Sequence, residues 1–369
     1  MNPSLPFADL RLHHDADDVR AAIERVLTRG WYVLGPELEA FEAEFAQASG
    51  ARVAVGVANG TDAIALLLRA AGIGRGDQVI VPALTAGFTG LAVFAAGATP
   101  VIVDVEPATL TLDADACAAA ITPRVKAIVP VHLYGHPADL GRLRSLASAK
   151  RVALVEDCCQ AHLATYAGEP VGTSGIGGAF SFYPTKNLGA LGDGGAIVTN
   201  DPAIAEHVRR TRNGGQSPRH HHVEPGINSR LDELQAAVLR ARLVRLPAMT
   251  NRRREIGRFY RRQLTPAVTI PVERDAGHVY HLFPIRSRQR DALRAHLLAA
   301  GVETLIHYPV ALSDQRAFAD CVPAPCPVAA AAAAELLSLP LDPRLSDEEV
   351  ARVVEAVNGF AGQAAASRV

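Results

Sequence analysis

Five short apolar runs recur along the first half of the chain, at residues 53–57, 78–81, 101–105, 127–133 and 152–156, with helical runs between them. Only Gln78, Asp104, His132 and Glu156 interrupt them, so the runs do not alternate with polar residues. A strand without a polar side is covered on both faces, which is the situation in a mainly parallel sheet packed between helices. Runs 63–71, 88–96, 114–121 and 138–149 have the spacing to be those helices. Residues 180–182 and 196–199 read as two more strands. The pattern predicts an α/β fold of three layers, helix on sheet on helix.

Two helices precede the alternation. Residues 16–29 place Val19, Ala22, Ile23 and Val26 at helical spacing, and residues 37–47 place Leu38, Phe41 and Phe45 on one face. A long helical stretch starts near Ser229 and runs, with a break at Pro247, to about Leu264. Beyond it the texture changes. Strands are predicted at 268–272, 279–286 and 304–307, and helices at 288–300, 328–337 and 347–360. This is a smaller α+β domain, so the chain divides into residues 1–249 and 250–369. A length of 369 residues with 49% hydrophobic content suffices for two cores.

A formal net charge of −1 provides no basic field, so no nucleic acid partner is expected. No apolar run reaches the roughly 18 residues of a membrane span. The N-terminus lacks a basic stretch followed by an apolar one, and so reads as no signal peptide. Five cysteines, an odd number, at Cys117, Cys158, Cys159, Cys321 and Cys326, suit reduced thiols in a cytoplasm. The run His220, His221, His222 lies in a polar loop without nearby cysteines or carboxylates at ligand spacing, and no metal is expected.

Lys126, Lys150 and Lys186 are the only lysines among 37 basic residues. Arginine stays protonated and cannot form an imine, whereas a desolvated lysine can. Lys186 sits in AFSFYPTKNLGALGDGGAIVTN, with Ser181 before it and Gly189, Gly192, Gly194 and Gly195 after it. The strand at 152–156 delivers Asp157 to the edge where open α/β sheets gather ligands. Earlier, Ala58-Asn59-Gly60-Thr61-Asp62 joins a strand to a helix start, where free N–H groups and the helix dipole favour an anion. An ordinary Asn/Thr helix cap explains the same turn. Together, an aspartate for a ring nitrogen, a lysine for an imine and N–H groups for a phosphate are what pyridoxal 5'-phosphate requires.

Ten short motifs carry a resemblance through nearly the whole chain. They are 30–36 (GWYVLGP), 58–63 (ANGTDA), 77–82 (DQVIVP), 131–135 (VHLYG), 156–162 (EDCCQAH), 181–187 (SFYPTKN), 192–195 (GDGG), 228–236 (NSRLDELQA), 278–283 (HVYHLF) and 307–309 (HYP). In this order the chain resembles the DegT/StrS-type sugar aminotransferases, pyridoxal phosphate enzymes of the aspartate-aminotransferase fold. The resemblance implies catalytic roles for Lys186, which bonds the cofactor and moves the proton, and for Asp157, which keeps the pyridine nitrogen protonated. It implies that Gln160 lies near the phenolic oxygen and that Gly60, Thr61 and Ser181 bind the phosphate. It implies that Asn228 reaches a neighbour's phosphate across a homodimer with composite active sites. His307 and Tyr308 match a segment at the substrate pocket, and Tyr183 lies beside the lysine.

Three positions depart from the family pattern. Ala86 replaces an aromatic that stacks on the cofactor ring, leaving Phe88 as the expected substitute. Ser313 stands where histidine is common, and Leu163 where glycine is common. The implied reaction is transfer of an amino group from an amino acid, L-glutamate, to a nucleotide-linked keto-sugar such as a dTDP-3-keto-6-deoxyhexose. A 4-keto-sugar, a keto-cyclitol or a non-catalytic regulatory role are the alternatives. A dehydratase of the same fold would lack the lysine.

Overall fold

The computed structural model describes residues 4–360. The chain opens with α1 (Ala16–Arg29) and α2 (Pro36–Ala48). There follow β1 (Val53–Val57), α3 (Gly60–Ala70), β2 (Gln78–Pro82), α4 (Gly87–Ala95), β3 (Thr99–Val103), α5 (Ala114–Ala120), β4 (Val125–Ile128), α6 (Leu140–Lys150) and β5 (Ala153–Asp157). A short hairpin, β6 (Thr165–Tyr166) and β7 (Glu169–Pro170), leads to β8 (Gly177–Ser181) and β9 (Gly195–Thr199). Then come α7 (Pro202–Thr211), α8 (Glu233–Leu243), α9 (Leu246–Gln263), β10 (Phe283–Arg286), α10 (Arg290–Ala299), α11 (Pro327–Glu335), β11 (Leu336–Leu339) and α12 (Asp347–Asn358).

Seven strands form one sheet in the order β1-β9-β8-β5-β4-β2-β3. β3, β2, β4, β5 and β8 pair parallel, and β9 runs antiparallel between β8 and β1. β1 therefore points the same way as β5 and β8, and the carboxyl ends of all three open on one edge. Both faces are apolar, as the apolar runs predict. On one face Val55, Val57, Val79, Val81 and Ile197 pack with Leu66 and Leu67 of α3. On the other, Ala54, Ile80, Phe180 and Val198 pack with Phe41 and Phe45 of α2. Phe45 meets Phe180 and Phe182 edge-on at 5.1 and 5.2 Å. Truncating such a ring costs roughly 3–5 kcal/mol.

A separate apolar core gathers Ile256 and Tyr260 of α9 with Phe283, Leu293, Leu337 and Val353. α9 runs through residue 250, and Pro247 lies in its first turn, where its missing N–H removes no helix bond. The predicted strands at 268–272 and 304–307 are single bridges instead, Thr269 to Arg286 and Leu305 to Ser338. The alanine-rich helix stops at Glu335, and the next four residues pair with β10 because all four are buried against it. Likewise β4 ends at Ile128, and the chain turns through a 3-10 segment at Leu133–Gly135. α7 is unforeseen, although Asp201 accepting from Ala203 N at 2.8 Å and Pro202 beside it are readable start signals.

Two of the sequence motifs meet as structure. Glu233 is fully buried and its carboxylate accepts from the N–H groups of Gly35, Glu37 and Leu38 at 3.0, 2.9 and 2.8 Å. It caps the N-terminus of α2, where a negative charge opposes the helix dipole. The sequence 228–236 thus secures 30–36 across the fold.

Candidate active site

β5 ends on Asp157, which is 4% exposed. Its Oδ2 accepts from Thr89 Oγ1 at 2.8 Å and its Oδ1 from Cys159 N at 3.1 Å. Thr89 lies in the first turn of α4, and Thr85 Oγ1 stands 3.2 Å behind it. Each carboxylate oxygen thus spends one lone pair on the protein and keeps another for a donor on the open edge.

Ser181 ends β8, and Lys186 follows in a loop that re-enters the sheet at Gly195. Lys186 N donates to Tyr183 O at 2.8 Å, and Tyr183 N to Ser181 Oγ at 3.3 Å. Lys186 keeps some accessible surface. Its surroundings are packed enough that desolvation pulls its ammonium pKa below the ordinary lysine value, against the opposing pull of Cys159 and Asp157. Burial also pushes the Cys159 thiol well up, so it stays neutral. Among the described residues Lys186 Nζ donates no hydrogen bond.

The N-terminus of α3 completes the edge. Asn59 caps it, accepting from Asp62 N at 2.8 Å. The helix-cap reading is therefore correct for Asn59, yet it leaves the Gly60 and Thr61 N–H groups without a partner among the described residues. A Cβ on Gly60 would lie 2.6 Å from Cys159 Sγ and 2.9 Å from Ser181 Cβ. Gly60 is thus pressed against both neighbours, and only hydrogen fits. Gly195 is equally constrained: a Cβ there would fall 2.4 Å from the Asn59 carbonyl carbon.

Gln160 is 4% exposed and spans two partners. Its Oε1 accepts from Tyr134 N at 2.6 Å, and its Nε2 donates to Tyr308 Oη at 3.0 Å. Tyr134 Oη closes the circuit on His307 O at 2.5 Å. Burial pushes the Tyr308 phenol up to about 12 and the His307 imidazole down to about 4, Lys186 adding to the latter. Both side chains are neutral at neutral pH. His307 also shares a hydrogen bond with Ser338 Oγ at 3.0 Å.

The fold brings Gly60, Thr61, Asp157, Gln160, Ser181, Lys186, His307 and Tyr308 to one edge. It leaves Phe88 64% exposed on the first turn of α4, where it is Thr89, the next residue, that touches Asp157. Asn228 is exposed and bridged to Asn213, and Tyr183 is 52% exposed. Sequence reasoning missed Thr85 and Thr89, although both fall in the segment where the absent aromatic at 86 had drawn attention. It also missed His162, which is fully buried among Phe45, Phe180 and Phe182 with neither ring nitrogen hydrogen-bonded. Among the described residues His132, Glu156 and Cys158 form a buried cluster with ligand atoms close together. Its polar atoms are already engaged: Glu156 accepts from Gly172 N, Ser174 N and His132 Nε2, and His132 Nδ1 accepts from Ala138 N.

Residues 13–358 match the sequence model of the DegT/DnrJ/EryC1/StrS aminotransferase family. The chain is 48% identical, over 97% of each sequence, to the dTDP-3-amino-3,4,6-trideoxy-alpha-D-glucose transaminase of Streptomyces venezuelae. It superposes on S. venezuelae DesV, solved in complex with a ketimine intermediate, with a TM-score of 0.94 at 47% identity, covering 97% of this chain and 98% of that one. A second neighbour is NtdA of Bacillus subtilis with bound cofactor PMP, with a TM-score of 0.90, 31% identity and coverage of 97% and 85%.

Proposed function

The chain belongs to the DegT/DnrJ/EryC1/StrS aminotransferase family, and from that premise we propose a substrate pair and a division of labour for its residues. It is a pyridoxal-phosphate-dependent aminotransferase. The acceptor is a nucleotide-linked keto-sugar, a dTDP-3-keto-6-deoxyhexose, in keeping with the 3-amino sugar in the name of the S. venezuelae relative. The donor is an amino acid, L-glutamate.

The observation that carries this reading is the convergence on one sheet edge of a carboxylate, an amine and two free N–H groups. These residues fit the cofactor. Gly60 admits a close approach that any side chain would block, and Gly60 and Thr61 present N–H groups opposite the Ser181 hydroxyl, a cradle for a phosphate. Asp157 has an oxygen lone pair to hold a pyridine N–H, and Lys186 a pKa lowered toward the range where proton transfer is efficient. When bound, the cofactor supplies an electron-withdrawing ring that stabilises the carbanion left by deprotonation. Lys186 offers Nζ to the cofactor's aldehyde. With an amino acid in the site, the same Nζ would take the proton from its α-carbon. Asp157 fixes the ring's charge, and Gln160 turns its remaining N–H toward the phenolic oxygen. Phe88 and Tyr183, both open, are assigned to cover the ring and the sugar, and His307 and Tyr308 to line the sugar's pocket.

We assign the chain to a homodimer in which Asn228 completes the neighbour's phosphate site. The exposed apolar side chains Trp31, Tyr32, Phe88, Leu91 and Phe94 support an apolar contact. We also place it in the cytoplasm, supported by five free cysteines. No helix among the described residues is long and apolar enough to cross a membrane.

The test is direct. The holoenzyme should show the absorbance of lysine-bound cofactor, and L-glutamate should bleach it. The aminated enzyme, offered a panel of dTDP-linked 3-keto and 4-keto sugars and a keto-cyclitol, should regain the band with the 3-keto sugar. Recovery with a 4-keto compound alone would replace the assigned acceptor, and no bleaching by any amino acid would overturn the reading.

A further inference from the structure

A cavity of about 420 Å³ lies behind the lysine loop. Its wall includes Lys186, the segment from Phe7 to Asp15, α8, α9 and the chain around Leu341. Five arginines line it, and four are neutralised. Arg11, Arg242, Arg245 and Arg344 each hold a carboxylate, those of Asp9, Asp15, Asp18 and Asp342 respectively. Arg253 has none. It is 8% exposed, and only its Nη1 is engaged, by the carbonyls of Leu341 at 2.7 Å and Tyr280 at 3.3 Å. Its Nε and Nη2 are not among the sealed, unpartnered atoms. Arg253 itself lines the cavity. A buried guanidinium without an anion is costly, and Asp342, which attracts it at longer range, is already clasped by Arg344.

The histidines beside it do not help. His281 and His307 line the same wall, and burial holds both neutral. Among the described residues the space therefore presents Lys186 and one uncommitted cation, at a volume suited to a small molecule.

We infer that Arg253 is the carboxylate anchor for the amino donor, holding one carboxylate of a dicarboxylic amino acid so that its amine faces Lys186. This rests on the aminotransferase reading. A sugar diphosphate is the other anionic source, but four of the five arginines in the wall are already held by carboxylates, which leaves one guanidinium for one anionic group. A single carboxylate matches the single free guanidinium, whose planar fork suits it.

The two half-reactions of the holoenzyme separate the sources. Bleaching by L-glutamate reads the donor alone, and recovery of the aminated enzyme with keto-sugar reads the acceptor alone. In Arg253→Met the half-saturating glutamate concentration should rise about 10- to 100-fold, the loss of one charge-assisted hydrogen-bonded contact. The bleaching rate at saturation and the half-saturating keto-sugar should stay near wild type. Arg253→Lys should fall between. Unchanged glutamate saturation overturns the inference. So does a rise confined to the keto-sugar, which assigns the cation to the diphosphate. A parallel loss in both half-reactions also overturns it, marking Arg253 as a tether of Tyr280 and Leu341 only. If Arg253→Met does not fold, glutarate, a dicarboxylate without an amine, is the probe. It should compete with glutamate in wild type and less well in Arg253→Lys, and absence of competition overturns the inference. A wild type that no amino acid bleaches is instead the failure of the aminotransferase reading.

Discussion

Thr89 Oγ1 donates to Asp157 Oδ2 at 2.8 Å, with Thr85 Oγ1 3.2 Å behind it and both threonines buried. The carboxylate assigned to the cofactor's ring nitrogen is therefore aimed by a chain of hydroxyls from another element. Thr89→Val keeps the shape and removes the donor. It should weaken cofactor retention about 10- to 100-fold, since an unpaired buried acceptor costs about 1–3 kcal/mol. Thr89→Ser should restore it. Cofactor dissociation followed by absorbance checks this; equal affinity in Thr89→Val and wild type would mean that Asp157 needs no such help.

Lys186→Ala and Lys186→Arg should both lack turnover and the absorbance of lysine-bound cofactor, because neither side chain offers a neutral amine. In the cofactor-free protein the sign of a second effect follows from burial. The folded-state pKa of Lys186 lies below the ordinary 10.5, so between those values the unfolded chain binds more protons and stability rises with pH. Below the folded pKa the cost of charging the packed amine is fully present. Lys186→Met should therefore melt at a higher temperature than wild type at neutral pH, and the difference should shrink as pH approaches 10.5. Melting curves of the apoprotein across that range decide it.

His162 titrates at about 3, pushed down chiefly by burial among phenylalanines and next by Lys186. The folded value is depressed from the ordinary 6.5. Its contribution to stability is present above 6.5 and is lost as pH falls toward 3. His162→Leu removes that loss and the unsatisfied ring nitrogens together. Its melting temperature should fall less steeply than that of wild type between pH 6.5 and pH 3.5 or so. A parallel decline in the two proteins would show that His162 is not charged on unfolding.

The composite site proposed for Asn228 makes a prediction that no single-subunit enzyme shares. Co-expressed Lys186→Ala and Asn228→Asp subunits should each be impaired alone. In a mixed dimer one site carries both lesions and the other neither. Random pairing then returns roughly a quarter of wild-type activity. Activity of the mixture equal to the average of the two homodimers would show that Asn228 does not act across an interface.

Much of the fold was legible because the signal was strong and local. Apolar runs such as 53–57 and 78–81 can only be strands covered on both faces, and they are. That Asp157 and the Lys186 loop leave the sheet at the same edge was readable from the strand ends. The failures have a common cause, which is dependence on partners distant in sequence. Leu336–Leu339 is a strand because β10 lies beside it, and residues 268–272 are not because only Thr269 finds a bridge. Thr89 looked like one more helix residue, since nothing local says that it faces Asp157, 68 positions away. Arg253 was one of three consecutive arginines, 252–254, in a polar helical stretch; only the folded cavity distinguishes it from its neighbours.

The lysine loop leaves the sheet at Ser181 and returns at Gly195, and those two residues are register partners in β8 and β9. The loop is thus clasped at its base by a ladder whose slip by one residue would turn Phe180 and Val198 out of their core and Ala179 and Ile197 into it. Genetic change is channelled accordingly. Insertions or deletions must be absorbed between residues 182 and 194, because none can be passed into the strands. The reach from Ser181 to Lys186 is consequently a fixed tally of residues, so any change of length falls after Lys186, where the buried Asn187, Leu188 and Ala190 in turn limit which side chains can diverge.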